Sequence, residues 1–144
     1  MTTPKLERGD SFFDQRGVVS PVELPAPAWR FYISENKEPG IIRAWHGHPK
    51  EWRVIRTISG KAKVALLKMD DHSIVRKFDL YGNYLLTVPP GWATGWQSVD
   101  ERTMVLFLSP SSYAHRDDVL LDSAIRAEIW TKPWDGEKYW PAAR

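Results

Sequence analysis

The chain has 144 residues, enough for one domain with a sizeable core, and its 42% hydrophobic and 26% charged residues are ordinary for a soluble globular protein. The formal net charge of +2, with no Lys/Arg-dense run, argues against nucleic-acid binding through phosphate contacts, and the absence of cysteine excludes disulfides and thiol nucleophiles. The N-terminus has no apolar signal core and no stretch approaches the roughly 20 apolar residues of a membrane span, so we expect a cytoplasmic protein without membrane contact.

Short extended segments follow one another along most of the chain. Residues 11–24 place a D-Q-R-G turn between extended pieces, and the later segments are rich in aromatic and β-branched residues. The segments predicted as strands are 29–34, 41–48, 52–59, 60–69, 74–80, 84–90, 96–99 and 103–109, with P-G-W-A-T-G (90–95) predicted as a turn. Turn signals about 8–12 residues apart are typical of an all-β sandwich or barrel.

The C-terminal part of the chain has a different pattern. In 116–130, apolar residues fall at 119–121, 125 and 129–130 behind a candidate N-cap aspartate, which predicts one short helix. The tail 131–144 carries two tryptophans and two prolines, which indicates a tether or an interface segment. We therefore expect one all-β domain over 1–144, built of short antiparallel strands with a short C-terminal helix.

His46 and His48 lie one residue apart in the predicted strand 41–48. Residues two apart on a strand point to the same face, so the two histidines share a face, whereas Arg43 and Trp45 take the other face unless a bulge intervenes. Histidines on a lining face fit a metal site or a general base, and histidines on an outer face are simply solvated.

The metal interpretation is weakened by the residues around the pair. Gly40 followed after five residues by H-x-H matches the start of the metal-binding cupin pattern, but Glu51 comes one residue early. Thr94 stands where the third histidine would be, and a hydroxyl is a poor ligand for a borderline metal. His72 and His115 lie at predicted turns or ends, so we predict no metal and no cofactor.

Motifs spread over nearly the whole chain resemble the dTDP-4-dehydrorhamnose 3,5-epimerases. They are D-Q-R-G (14–17), G-I-I-R-A-W-H (40–46), R-V-I-R-T-I-S-G-K-A-K-V-A-L-L (53–67), V-P-P-G-W-A-T-G-W (88–96) and L-L-D-S-A-I-R-A-E-I-W (120–130). The H-G-H triplet is also similar to that of the dTDP-4-keto-6-deoxyhexose 3,4-ketoisomerases. The resemblance implies a cupin-type jelly-roll barrel, a cofactor-independent enzyme of deoxysugar or surface-polysaccharide biosynthesis, and a homodimer in which the N-terminal arm crosses between subunits.

The same resemblance implies catalytic roles. His46 matches the base, and Asp122 matches the carboxylate that hydrogen-bonds the base, with a helix N-cap as the alternative role for Asp122. Arg53 falls where a lysine lies near the sugar keto oxygen, a position from which a cation would stabilise an enolate. His48 falls at the second histidine of the ketoisomerases and is a candidate helper in proton transfer.

Substrate-binding residues follow from the resemblance in the same way. Arg16 and Arg43 match arginines at the diphosphate and sugar ends, or else are surface arginines. Tyr113 matches a tyrosine of the family. Trp45, Trp92 and Trp96 offer stacking surfaces for the thymine or hexose, or else fill the barrel core.

Two departures from the epimerase pattern bear on the reaction. Phe107 stands where the epimerases have a proton-donating tyrosine, and Thr94 replaces a histidine. Without a transferable proton at 107, the sequence favours 3,4-isomerisation of a nucleotide-linked 4-keto-6-deoxy sugar over double epimerisation, through α-proton abstraction by a histidine. The alternatives are a non-catalytic barrel that binds a nucleotide sugar or saccharide, and a metal-dependent cupin enzyme.

Overall fold

The structure is a computed structural model that describes residues 3–138, and β-strands make up almost all of the regular secondary structure of these residues. In chain order the strands are β1 (Lys5–Arg8), β2 (Phe12–Asp14), β3 (Gly17–Val19), β4 (Arg30–Asn36), β5 (Ile42–His48), β6 (Arg53–Ser59), β7 (Ala62–Lys68), β8 (Val75–Leu80), β9 (Tyr84–Val88), β10 (Trp92–Ser98), β11 (Thr103–Ser109) and β12 (Val119–Leu120). The all-β prediction is confirmed.

The strands form two five-stranded sheets and a separate hairpin. The first sheet has the order β1-β9-β6-β11-β4, the second has the order β12-β5-β10-β7-β8, and β2 pairs with β3. The D-Q-R-G stretch forms the turn of this hairpin, as predicted. The two sheets pack as a jelly roll of the cupin type, but they are not closed into the barrel that was expected.

The main core lies between the two sheets. Period-two alternation in β11 sends Val105 and Phe107 inward, where they meet Leu66 and Phe78 from the facing sheet. The interior of the fold is therefore built from one face of each sheet, and one end of this layer remains open as a cavity.

A second apolar cluster covers the outer face of the second sheet. Trp45, Leu67 and Ala93 pack there against Ile129 and Trp130 of the C-terminal segment. The Trp45 and Trp130 ring centroids are 5.9 Å apart. Because this cluster covers the outer face of the sheet, β7 and β10 are buried on both faces, and their sequences are nearly continuous apolar runs.

The predicted C-terminal helix is reduced to a single 3₁₀ turn over Ala127–Trp130. Before it, β12 pairs with the edge of β5, so its backbone bonds go to the sheet. Arg126 then adopts a left-handed conformation, with a φ of 51°, which interrupts any continuous helix. Among the described residues, no helix has the length and apolar character needed to cross a membrane.

Two other predictions need correction or completion. The stretch 90–95, predicted as a turn, largely belongs to β10, and Gly95 within it lies where the Trp45 and Trp130 rings pack closely against the sheet. In the tail, Trp134 donates a hydrogen bond of 2.9 Å to Asp79, and Glu137 pairs with Phe78. The final part of the tail prediction, 139–144, lies outside the described residues.

Candidate active site

A cavity of about 480 Å³ opens between the two sheets. Strands β4 and β11 of the first sheet and β5 and β10 of the second supply most of its walls, and the segment before β12 supplies the rest. Its lining residues are Arg30, Phe31, Tyr32, Ile33, Ser34, Arg43, His46, His48, Thr94, Trp96, Phe107, Tyr113 and Asp118.

A bulge in β5 determines which of its residues reach the cavity. Thr94 of β10 lies opposite His46, but Trp96, two residues later, lies opposite Arg43. The extra residue in β5 breaks the strict alternation, so Arg43 and His46 both line the cavity.

The same bulge leaves Trp45 on the far side of the sheet. Its ring is fully buried in the outer cluster, and its Nε1 donates a 2.8 Å hydrogen bond to the Ile125 carbonyl. This position corrects the prediction that Trp45 stacks on a substrate, because no part of the ring faces the cavity. Trp92 is likewise a buried core residue outside the cavity lining, whereas Trp96 belongs to both the core and the lining.

His46 is an accessible imidazole on the cavity wall. Desolvation lowers its pKa below the usual 6.5, and the positive charge of Arg43 acts in the same direction. The Asp118 carboxylate opposes this shift and partly offsets it. The ring is therefore unprotonated at neutral pH, which is the state required of a general base.

His48 has different surroundings although it lines the same cavity. It is 3% exposed, and its Nδ1 lies 2.9 Å from Arg53 Nη2. A guanidinium can only donate and a carboxylate can only accept, so Nδ1 has two alternative bonds. It accepts from Arg53 when the proton of the neutral ring is on Nε2, and it donates to Asp117 Oδ1, 3.2 Å away, when the proton is on Nδ1. Burial and the charge of Arg53 lower the pKa of His48, against the opposing effect of nearby Asp118.

Arg53 is the centre of a buried network behind His48. Its side chain is 1% exposed, and it donates to Glu51 Oε2 at 2.9 Å and to Asp118 Oδ1 at 3.2 Å. Arg53 does not belong to the cavity lining formed by residues 3–138. Arg53 instead contacts His48 and Asp118, which do line the cavity, and its predicted role in stabilising an enolate stays a prediction.

Asp117 anchors this network to the start of the loop after β5. Its Oδ2 accepts hydrogen bonds from the backbone amides of Lys50 at 2.8 Å and Glu51 at 3.0 Å. Burial acts to raise the pKa of Asp117, but these amides and His48 outweigh it, and the pKa falls below 3.8. Asp117 is therefore a fixed negative charge 3.2 Å from His48 Nδ1.

His48, Asp117 and Asp118 bring three possible metal-ligand atoms within 4.8 Å of one another. The Arg53 guanidinium lies among them, 2.9 Å from His48 Nδ1 and 3.2 Å from Asp118 Oδ1. In this arrangement the guanidinium supplies the positive charge that the carboxylates require, and a metal ion would have to displace it.

Tyr32 reaches the cavity from β4 of the opposite sheet. It lies directly across from Phe107 of β11, and the two rings stack at a centroid distance of 4.7 Å. Burial raises the pKa of the Tyr32 phenol, although Arg53 and Arg30 act to lower it. The phenol therefore keeps its proton at neutral pH and is available as a hydrogen-bond or proton donor.

Tyr113 lies at the mouth of the cavity and is 65% exposed. The Arg116 guanidinium lies 3.7 Å from the centroid of its ring, and that of Arg30 lies 5.8 Å from it. An aromatic face between two arginines suits a ligand that combines a planar ring with phosphate groups.

Two further predicted site residues, Asp122 and Arg16, are not brought to this cavity. The Asp122 carboxylate accepts a 2.9 Å hydrogen bond from the Ala124 amide, and within residues 3–138 no hydrogen bond or ion pair joins it to His46. This bond lies within a turn, and the helix N-cap considered as the alternative role is not observed either, because the 3₁₀ turn begins at Ala127 with Arg126 as its N-cap residue. Arg16 lies in the β2–β3 hairpin turn, 90% exposed and paired with Asp14.

Tyr32, Arg30, Asp117 and Asp118 belong to the site but were not predicted from the sequence. Arg30 and Tyr32 lie two residues apart in one predicted strand, so they point to the same face. This spacing could have indicated that both residues line the site. The Asp117–Asp118 pair was read as the start of a helix. No local pattern indicates that it meets His48, from which Asp117 is separated by 69 residues.

Comparison of the sequence with protein-family models and with curated proteins gives no match. Solved structures do match. The sugar 3,4-ketoisomerase QdtA from Thermoanaerobacterium thermosaccharolyticum, in complex with TDP, has a TM-score of 0.72 at 22% identity, over 87% of this chain and 93% of that chain. The dTDP-4-dehydrorhamnose 3,5-epimerase from Bacillus anthracis, with TDP and PPi bound, has a TM-score of 0.76 at 20% identity, over 93% and 86%.

A third similar structure is the TDP-quinovose 3,4-ketoisomerase WlaRB from Campylobacter jejuni. Its TM-score is 0.73 at 17% identity, and the match covers 92% of this chain and all of that chain. At these identities the likeness establishes a shared fold. The activity of this chain has to be argued from its own site.

Proposed function

We propose that this chain is a cofactor-independent 3,4-ketoisomerase that acts on a TDP-linked 4-keto-6-deoxyhexose. The observation that carries the proposal is His46, an accessible imidazole with a lowered pKa on the wall of a cavity that also holds the protonated phenol of Tyr32. Such a pair suits removal of a weakly acidic C–H proton next to a carbonyl. A QdtA variant has been crystallised with TDP-4-keto-6-deoxyglucose, which supports this substrate class.

In the proposed reaction, His46 takes the proton from C3, and the electron pair of that C–H bond forms the C3–C4 double bond. The C4 carbonyl oxygen takes up a proton from the Tyr32 phenol, which gives an enediol. The C3 hydroxyl then returns a proton to the Tyr32 phenolate, C3 becomes a carbonyl, and C4 gains a proton from the imidazolium. Atoms and charge balance without an oxidant, a reductant or a metal.

The surrounding residues have supporting roles in this proposal. Tyr32 donates to the C4 oxygen as negative charge develops on it. In the tautomer in which Nδ1 accepts from Arg53, His48 carries its proton on Nε2 and is a second donor. Arg30, Tyr113 and Arg116 bind the nucleotide end at the cavity mouth.

A 3,5-epimerase is the second candidate, and the position of Tyr32 favours it. Tyr32 comes from the sheet opposite His46, so its phenol faces the substrate from the other side, as an epimerase acid must. The phenol that the sequence lacks at Phe107 would then be supplied by the residue stacked on Phe107.

Proton NMR of the protein with TDP-4-keto-6-deoxyglucose in deuterium oxide tests the proposal. Isomerisation moves the carbonyl from C4 to C3, whereas epimerisation leaves the carbonyl at C4 and labels C3 and C5 with deuterium. Either product must disappear with His46→Asn. Saturation-transfer signals without turnover would instead identify a nucleotide-sugar binding protein and would contradict the proposed activity.

We further propose that the chain acts as a homodimer. Large apolar side chains remain exposed on the hairpin, on β4 and just before it, including Phe13, Trp29 and Phe31 at 65–78%. A hairpin that crosses to a second copy would bury such residues and would carry Arg16 toward the partner's cavity. Light scattering should give twice the monomer mass, and Phe13→Asp should reduce it to the monomer value.

A further inference from the structure

Thr94 carries a buried hydroxyl without a partner. The residue is 4% exposed, and its Oγ1 has no hydrogen-bond partner within residues 3–138. Leaving a buried hydroxyl unpaired costs free energy that a valine of the same shape would avoid. The hydroxyl therefore requires an explanation other than packing.

The strand register places this hydroxyl beside the base. Thr94 of β10 is the direct partner of His46 in β5, and side chains of directly opposed residues share a face with Cβ atoms about 5 Å apart. Thr94 lines the cavity with His46, and its neighbours Trp96 and Phe107 in the lining present apolar surface. A bound molecule in the cavity is therefore the natural source of the missing hydrogen-bond partner.

The chemistry of a hydroxyl suits this particular reaction. During 3,4-isomerisation the C3 oxygen changes from a hydroxyl, which donates, to a carbonyl, which only accepts. A threonine hydroxyl can accept in the first state and donate in the second by rotating about its C–O bond. An arginine or lysine in the same place could only donate, and would favour one of the two ketones.

We propose that Thr94 is a specificity-determining residue that hydrogen-bonds the oxygen on C3, the carbon from which His46 takes the proton. This inference rests on the proposed function and deepens it, because it names the hexose position that the cavity recognises. Sugars with an oxygen at C3 satisfy the buried hydroxyl, and 3-deoxy sugars leave it unpaired. Sites that pair a substrate hydroxyl discriminate strongly against analogues that lack it.

The test uses three probes that cannot react: TDP, TDP-glucose and TDP-3-deoxyglucose. Their dissociation constants are measured by calorimetry for the wild type, Thr94→Val and Thr94→Ser. We expect Thr94→Val to bind TDP-glucose roughly 10-fold to 100-fold more weakly, while its affinities for TDP and the 3-deoxy analogue stay within about twofold of wild type. Thr94→Ser, which keeps the hydroxyl, should remain close to wild type.

The possible results distinguish failure of the Thr94 inference from failure of the proposed function. If Thr94→Val is folded and binds TDP-glucose as tightly as the wild type, the partner of Thr94 is only a water molecule, and the inference is overturned. If the wild type binds neither TDP nor TDP-glucose, the proposed function is wrong, and the inference about Thr94, which rests on it, is wrong as well. An unchanged or higher Tm for ligand-free Thr94→Val shows that lost affinity does not reflect misfolding.

Discussion

Tyr32 and Phe107 face each other across the β4–β11 pair, and their rings stack at 4.7 Å with an interplanar angle of 6°. The stack fixes the orientation of the Tyr32 ring independently of its hydroxyl group. Removal of the hydroxyl therefore tests the proton-donor role of Tyr32 without changing the packing of its ring.

Tyr32→Phe is expected to lower kcat by about 10²-fold to 10³-fold with little change in KM, because the stack persists while the proton donor is lost. Steady-state kinetics with TDP-4-keto-6-deoxyglucose measures the effect. Tyr81→Phe, at a tyrosine in an edge-on contact with Tyr84, is the matched control and should behave like the wild type. Activity of Tyr32→Phe within twofold of wild type would exclude Tyr32 as the donor.

The pH profile reports on His46. Since the base must be unprotonated and its pKa is lowered, kcat/KM should fall on the acid side only as the pH drops below 6.5. It should stay flat from there to about pH 10, because the pKa of the Tyr32 donor is raised above its ordinary 10.0. Asp118 raises the pKa of His46, so Asp118→Asn should move the acid limb to still lower pH.

Asp122→Asn provides the comparison, because the Asp122 carboxylate is bonded to the Ala124 amide. Its acid limb should coincide with that of the wild type. The reverse result, a limb shifted by Asp122→Asn and not by Asp118→Asn, would restore the role that the sequence predicted for Asp122.

Arg53 is expected to dominate the stability of the site. Arg53→Met leaves Glu51 and Asp118 without their buried cation, and loss of one partner of a buried ion network typically costs about 3–5 kcal/mol. Denaturant unfolding measures the change. Lys37→Met, at an exposed lysine, should alter the free energy of unfolding by no more than about 0.5 kcal/mol.

His48 should make stability depend on pH. Its pKa is lowered in the folded protein, so as the pH falls below 6.5 the unfolded chain takes up a proton before the native one does. The free energy of unfolding should therefore be highest above pH 6.5 and should decrease as the pH falls through the folded pKa. His48→Gln should flatten this dependence, whereas His115→Gln, at an exposed turn, should leave the slope unchanged.

The strand pattern was predictable because it depends on local information. Turn residues and period-two alternation located most strands, and His46 was identified as a candidate base on the same grounds and through the resemblance. The exceptions arise from tertiary contacts. Residues 119–120 join the sheet as β12 because the edge of β5 offers backbone partners, and a helical apolar spacing does not reveal such an edge.

The electrostatics of the site could not be predicted in the same way. Asp118 meets Arg53 across 65 positions of the chain, and this contact depends on how the segment before β12 crosses the end of the second sheet. The sequence analysis assigned the role of acidic partner to Asp122, four residues later. Only the packing of this segment decides which aspartate comes near the base.

The β5 bulge separates position along the chain from position in the cavity. Deleting Ala44 would remove the bulge and leave Arg43 two positions before His46, still on the cavity face, because residues two apart on a regular strand share a face. In a relative without the bulge, the side chain in the place of Arg43 would therefore come from two residues before the histidine, and not from three. An alignment without a gap at this strand would then pair residues that never occupy the same place.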